Sequence, residues 1–132
     1  MKLLAFRLAR ERYAIAVEAV ADVAAAGAVR SVPRAPRAVR GLTERRGRVL
    51  ALVDVASVFE DCPVEGARPH LLSLAAPHDG TALWVPARLT AGEGAPAPDP
   101  DRPPGTFGRV FIEGEPHLLL DVESLLRRLE VA

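Results

Sequence analysis

The sequence predicts a mainly β protein made of two small barrels with short helices. Three observations lead to this fold class. Gly and Pro, numbering 10 and 12 among 132 residues, divide the chain into short segments. In the first segment Phe6 and Leu8 alternate with Arg7, as in a half-buried strand. One pattern of strand, turn, strand and helix also occurs twice, at residues 39–59 and again at residues 106–126.

Composition restricts the classes of protein that this chain can be. Seventeen basic residues balance seventeen acidic ones, which counts against a dedicated nucleic-acid binder. The 49% hydrophobic fraction excludes wholesale disorder, and the length favours one domain. No apolar run approaches the roughly 20 residues of a membrane span, so neither a signal peptide nor membrane insertion is expected. Cys62 is alone and cannot form an internal disulfide, which is typical of a cytosolic protein.

The N-terminal third contains a predicted hairpin and one ambiguous stretch. Residues 3–9 and 13–17 are apolar runs separated by three charged residues, which indicates two paired strands. Residues 14–29 are rich in Ala, and propensity alone favours a helix there. The β-branched Val17, Val20 and Val23 in the same stretch favour strands.

The elements after residue 47 follow local signals. Residues 48–53 form a predicted strand, followed by a short helix that Asp54 can cap. Residues 70–76 and 82–85 flank a turn and predict a second hairpin. The proline-rich and glycine-rich residues 91–105 predict a loop. Two further strands meeting at Gly114, and a final helix beginning at Asp121, complete the chain.

The internal repeat aligns residues 39–59 with residues 106–126 without gaps. The six identical pairs are Gly41 and Gly108, Gly47 and Gly114, Leu52 and Leu119, Asp54 and Asp121, Val55 and Val122, and Ser57 and Ser124. Each copy is too short to bury its own apolar face, so each must be completed by other strands. We therefore expect two barrels of similar build, in which the paired Gly and Asp residues have structural roles.

No set of residues in the sequence predicts an enzyme or a cofactor site. Asp54 and Asp121 could be paired catalytic carboxylates, but helix capping is by far the commoner role of such residues. The three His residues and Cys62 lack metal-ligand spacing. No serine has the context of a nucleophile elbow, and no glycine-rich phosphate loop occurs.

Residues 34–48 hold the densest charge in the chain. We define this arginine cluster as Arg34, Arg37, Arg40, Arg45, Arg46 and Arg48. A protein-binding face is favoured, because Arg is enriched at interfaces and pairs with carboxylates. A solvated surface is the second interpretation. A nucleic-acid groove on a small barrel is the third, because the window has no aromatic residue on which bases could stack.

Nearly the whole chain resembles the CheW family, the coupling proteins of bacterial chemosensory arrays. Two strand segments carry the resemblance, Leu4-Ala5-Phe6-Arg7-Leu8 and Tyr13-Ala14-Ile15-Ala16-Val17. A Gly-x-x-Asn-Leu-Arg-Gly-like motif follows at Gly41-Leu42-Thr43-Glu44-Arg45-Arg46-Gly47, and a Val-Asp-Leu-like strand end at Leu52-Val53-Asp54-Val55. The closing helix matches at Leu119-Leu120-Asp121-Val122-Glu123. It implies one CheW-like domain over residues 1–132, with two intertwined SH3-like five-stranded barrels. The first barrel would comprise mainly residues 13–62, and the second mainly residues 3–9 and 68–132. The ambiguous residues 14–29 would then be strand, turn and strand.

The resemblance also implies a function without catalysis. Proteins of this family join the tip of a chemoreceptor to the regulatory domain of a CheA-type histidine kinase, in cytoplasmic chemosensory arrays. Other CheW-like proteins are possible further partners. The resemblance implies a salt bridge between Asp22 and Arg46, linking neighbouring strands. The resemblance implies that Val20 and Val23 face the kinase. It places Arg46, Leu83 and Val85 near the receptor groove. The full set of expected protein-binding residues is Val20, Asp22, Val23, Arg45, Arg46, Leu83 and Val85.

Three departures from the family pattern add an alternative. Thr43-Glu44-Arg45 replaces an apolar–Asn–Leu run, and Pro86 stands where the family usually has Asp. Residues 88–105 are short and rich in proline, so we expect the second barrel to lose an edge strand. The alternative is therefore an adaptor that binds a receptor but not a kinase.

Overall fold

The chain forms two mainly antiparallel β-sheets and two short helices. The computed structural model describes residues 1–60 and 68–130. Residues 61–67, which include Cys62, and residues 131–132 lie outside the described part. In chain order the elements are β1 (Lys2–Arg7), β2 (Arg12–Ala16), a 3-10 turn (Val17–Ala19), β3 (Val20–Ala25), β4 (Val39–Arg45), β5 (Arg48–Asp54), α1 (Val55–Phe59), β6 (His70–Leu74), β7 (Thr81–Val85), β8 (Thr90–Glu93), β9 (Pro96–Pro98), β10 (Thr106–Ile112), β11 (Glu115–Leu120) and α2 (Val122–Glu130). The predicted mainly β fold with short helices is confirmed.

The first unit comprises Met1–Ala19 and Leu89–Ala132. Its sheet has the strand order β8-β1-β2-β11-β10-β9, in which β11 and β2 are parallel. Apolar side chains from four of these strands, β1, β2, β10 and β11, form its core, including Leu3, Ala14, Val110 and Leu119. The predicted hairpin near the N-terminus is confirmed by the antiparallel pairing of β1 with β2.

The second unit comprises Val20–Arg88. Its sheet has the order β3-β6-β7-β5-β4, with β5 and β7 parallel. Leu50, Leu52, Leu71 and Ala82 pack together in its interior. The chain after β3 runs beside β4, where Arg30 and Leu42 form an isolated bridge, so the edge strand β4 is partly covered.

The division into units differs from the predicted barrel boundaries at two places. β2 belongs with β1, because it pairs with β1 on one side and with β11 on the other. β6 and β7 belong with β3 and β5, because they pair with those strands. Residues 13–19 and 68–88 therefore each lie in the opposite unit from the one predicted.

The predicted loss of an edge strand is wrong. Residues 88–105 contain β8 and β9, so the first unit has six strands rather than five. β9 pairs with β10 although two of its three residues are prolines. Proline is tolerated there because β9 lies at the edge of the sheet, where an N–H facing outward has no ladder partner to lose.

Residues 14–29 form strand, turn and strand, as the resemblance implied. The helix favoured by propensity is wrong, because both halves of the stretch find partners in a sheet. β2 lies between β1 and β11, and β3 pairs with β6. Helix propensity is a weak preference that tertiary pairing overrides.

Both copies of the repeat have the same backbone. The strand pairing shifts register at Gly41 and again at Gly108, where φ is +141° and +157°. The tight turns are also alike: φ is +52° and +77° at Arg46 and Gly47, and +50° and +80° at Glu113 and Gly114. Two consecutive residues with positive φ are typical of the type I′ hairpin turn.

The two aspartates of the repeat cap the two helices. An Asp54 carboxylate oxygen accepts a hydrogen bond from the Ala56 N–H at 3.0 Å. The Asp121 carboxylate accepts one from the Ser124 N–H at 3.3 Å. These bonds satisfy amide groups that have no partner inside a helix.

Candidate protein-binding surface

β3 is an edge strand that presents apolar side chains to solvent. Its residues alternate between half-buried and exposed, with Ala21, Val23 and Ala25 on the exposed side. Val23 is 43% exposed. The predicted contact residue Val20 is half-buried and pairs with Leu74 of β6. The structure therefore places Val23 where a partner can reach it, and Val20 at the border of the core.

Asp22 joins β3 to the end of β4. Its carboxylate accepts a hydrogen bond from Arg45 Nε at 2.7 Å. Arg46 Nη2 lies farther away, 3.7 Å from the other carboxylate oxygen. The predicted pair of Asp22 and Arg46 is present, but Arg45 is the main partner. β3 and β4 are the two outer strands of this sheet, so the ion pairs connect its edges rather than neighbouring strands.

The charge of Asp22 is stabilised by its arginine partners. The hydrogen bond from Arg45 is the largest effect and lowers the pKa of Asp22 below its ordinary value. Burial acts in the opposite direction, and the positive charges of Arg45 and Arg46 lower the pKa further. Because the pKa is lowered in the folded state, folding favours the ionised carboxylate. This contribution to stability is present above the ordinary Asp pKa of about 4 and is lost as pH falls through the lowered folded-state value.

Asp22→Asn is expected to flatten the acid dependence of stability. The variant has no carboxylate at this position, so the part of the unfolding free energy that the ion pair contributes at neutral pH should be missing at every pH. Urea unfolding followed from neutral to acid pH measures this. Asp101→Asn, at an exposed aspartate with no ion pair within residues 1–60 and 68–130, is the matched control. Equal pH profiles for wild type and Asp22→Asn would contradict the assignment.

Leu83 and Val85 do not belong to an accessible surface. Both side chains are fully buried in β7, so the prediction that they contact a partner is wrong. The alternation along this strand places Trp84 between them on the opposite, half-buried side. The Arg40 guanidinium carbon lies 4.3 Å from the centre of the Trp84 ring. The same alternation, read from the sequence, could have identified Trp84 as the accessible residue.

At least four residues of the arginine cluster lie beside carboxylates. Arg40 lies 3.2 Å from Asp54, and Arg48 lies 2.9 Å from Asp79. Arg45 and Arg46 share Asp22, as described above. Three carboxylates of the second unit therefore hold these four arginines. Contacts with a phosphate backbone require cations that are available to it, so this arrangement favours a protein-facing surface over a nucleic-acid groove.

Structural roles are found for two aspartates and two histidines, which are Asp54, Asp121, His70 and His117. Asp54 and Asp121 cap helices in separate units. His70 and His117 each place Nδ1 2.9 Å from a backbone carbonyl oxygen. Within the described ranges, no group of three His, Cys, Asp or Glu residues is arranged to hold a metal ion. The same part of the chain contains no helix that is long and apolar enough to cross a membrane.

Comparisons with known proteins agree with the architecture. The family model described as the CheW-like domain matches residues 2–83. The solved structure of the scaffolding protein TtCheW from Thermoanaerobacter tengcongensis is similar in fold, with a TM-score of 0.75 and 18% sequence identity over 91% of this chain and 88% of that one. A search of curated proteins gives no match.

The sequence match covers more than half of the chain and includes the first copy of the repeat. The structural match covers 91% of the chain and therefore extends over parts of both units. Together with the two barrel-like units, the paired hairpin turns and the Asp-capped helices, these matches show that the chain belongs to the CheW-like domain family.

Proposed function

We propose that this protein is a non-catalytic adaptor that joins chemoreceptor tips to the regulatory domain of a CheA-type histidine kinase. Membership of the CheW-like family supports the adaptor class. The similar structure from Thermoanaerobacter tengcongensis is described as a scaffolding protein. The observation on this chain that carries the proposal is the exposed apolar side of an edge strand beside a fixed set of charges.

We define the β3 surface as Val20, Asp22, Val23, Arg45 and Arg46. Val23 supplies an exposed apolar side chain, whereas Val20 is partly covered. Arg46 is mostly exposed, although it also lies near Asp22. Protein interfaces commonly combine an apolar centre with a polar rim in which arginine is frequent. The β3 surface has this composition, and we assign the kinase contact to it.

The receptor tip is the second proposed partner, and cytoplasmic arrays are the proposed location. The alternative adaptor that binds only a receptor depended in part on a missing edge strand in residues 88–105, beside the departures at Thr43-Glu44-Arg45 and Pro86. That strand is present, because β8 and β9 both belong to the sheet of the first unit. We therefore propose that both partners bind, with other CheW-like proteins as possible additional partners.

Co-purification tests this proposal. The full chain is mixed with the cognate receptor cytoplasmic fragment, or with the kinase regulatory domain, and each mixture is separated by size-exclusion chromatography. We expect an equimolar complex with each fragment. Recovery of neither fragment with the folded chain would overturn the proposed function, and recovery of the receptor fragment alone would support the receptor-only alternative.

A further inference from the structure

The Arg40 guanidinium is held at a partly exposed site on the second unit, where its side chain is 45% exposed. Its guanidinium stacks over the Trp84 ring at 4.3 Å. Its Nε donates a hydrogen bond to one oxygen of Asp54 at 3.2 Å. The other oxygen of Asp54 caps α1. One aspartate therefore holds both a helix start and a cation, while an aromatic ring covers the cation from the other side.

The internal repeat identifies the equivalent place in the first unit. Phe107 is the counterpart of Arg40, since each precedes the glycine at which the strand register shifts. Asp121 is the counterpart of Asp54, since both cap the helix that follows. Asp54 lies opposite Trp84 in the parallel pairing of β5 with β7. β11 pairs with β2 in parallel, with Leu119 opposite Ala14. In the same register Ala16 corresponds to Asp121, the residue after β11, and both residues line one cavity.

In the first unit the position that corresponds to the Arg40 site contains no arginine and no tryptophan. With Ala16 instead of tryptophan and Phe107 instead of arginine, a cavity of about 290 Å³ remains. We call it the Asp121 pocket. It is lined by Met1, Ala16, Ala19, Pro96, Phe107, Leu119, Leu120, Asp121, Val122 and Glu123.

The charged side chains of the Asp121 pocket are all acidic. Its lining contains two carboxylates and no basic side chain, and the N-terminal amino group belongs to the lining residue Met1. Glu123 pairs with Arg127 along α2. Asp121 makes no ion pair with any residue of the described ranges, although its counterpart Asp54 holds an arginine. Phe107 is 41% exposed and offers an aromatic face at the pocket.

We propose that the Asp121 pocket binds an arginine side chain of a partner protein. The guanidinium would pair with the Asp121 carboxylate and lie against the Phe107 ring, while its alkyl stem contacts the apolar lining. Charge complementarity favours a cation, and the filled site around Arg40 shows that this fold holds a guanidinium at a capping aspartate. The Asp121 pocket belongs to the first unit and shares no residue with the β3 surface, so the inference does not depend on the proposed function.

Nuclear magnetic resonance titration of the full, 15N-labelled chain tests this inference. The probes are N-acetylarginine methylamide, its neutral analogue N-acetylcitrulline methylamide and the apolar N-acetylleucine methylamide. We expect saturable shifts of the Ala16, Phe107 and Val122 amide signals with the arginine probe. The citrulline and leucine probes should bind about tenfold more weakly, because they lack the charge that strengthens the hydrogen bond to the carboxylate.

Asp121→Asn is the matched variant, because asparagine caps helices well and removes only the charge. It should weaken binding of the arginine probe about tenfold while the remaining spectrum stays that of the folded chain. A variant combining Ala16→Trp with Phe107→Arg should fill the pocket from within and abolish the shifts. Absence of saturable shifts in wild type, equal binding of the neutral probes, or unchanged binding by Asp121→Asn would each overturn the inference.

Discussion

Leu83→Ala is expected to lower the free energy of unfolding by about 3 kcal/mol. Leu83 is fully buried in the second unit, and β7 lies between β6 and β5 in the middle of the sheet. The substitution removes buried methyl groups and leaves a cavity that the surrounding strands cannot fill completely. Chemical denaturation followed by circular dichroism measures the change.

Val49→Ala is the matched control for Leu83→Ala. Val49 lies on β5 of the same unit but is 63% exposed, so its truncation should change the unfolding free energy by no more than about 0.5 kcal/mol. Partner binding by the folded fraction of Leu83→Ala should equal that of wild type. If Leu83→Ala were as stable as wild type but failed to bind the partner, Leu83 would be an interface residue, and its assignment to the buried core would be wrong.

Gly41→Ala is expected to destabilise the protein by about 3 kcal/mol, through two additive causes. The backbone at Gly41 has a φ of +141°, which residues with a side chain rarely adopt. A Cβ at this position would also collide with the backbone carbonyl of Arg30. Because Arg30 forms the bridge to Leu42, that backbone cannot move away without breaking a pairing of the unit. Thermal unfolding measures the loss.

Gly47→Ala separates the two causes. Gly47 also has a positive φ, +77°, but no atom lies within 4 Å of the position of an added Cβ. Only the backbone strain remains in this variant, so we expect the free energy of unfolding to fall by about 1 kcal/mol. Equal destabilisation by the two substitutions would show that the contact with Arg30 does not constrain Gly41.

Local signals were sufficient for the parts of the fold that short segments determine. The hairpins, the capped helices and the repeat depend on turn residues and on Asp at helix starts, and all of these are found. The roles of Gly47 and Gly114 could be predicted because a tight turn requires positive φ whatever surrounds it. The repeat also carried the information that two similar units exist.

Long-range pairing was beyond the same reasoning. Nothing within residues 13–19 indicates that β2 lies between β1 and β11, because its parallel partner is about a hundred residues away in the sequence. The strands β8 and β9 were missed because proline and glycine normally interrupt sheets. Their position at the two edges of the first sheet makes such residues acceptable.

The candidate site shows the same limit at the level of side chains. Asp22 and a basic partner were identified from the family pattern, yet the hydrogen bond goes to Arg45, and Arg46 is more distant. Arg45 is the last residue of β4 and Arg46 begins the turn with a φ of +52°, so the two side chains leave different backbone conformations and reach Asp22 at different distances. Leu83 and Val85 were predicted as contacts because the family resemblance places a receptor groove near their strand, but apolar residues are equally suitable for a core.

Isothermal titration calorimetry with the kinase regulatory domain tests the central claim most directly. Val23→Asp places a charge in the exposed apolar centre of the β3 surface, and Phe111→Asp does the same at a comparably exposed residue of the first unit. The wild type and Phe111→Asp should bind with similar affinity, and Val23→Asp should bind at least about thirtyfold more weakly while remaining folded. Equal binding by folded Val23→Asp and wild type would contradict the role of this surface.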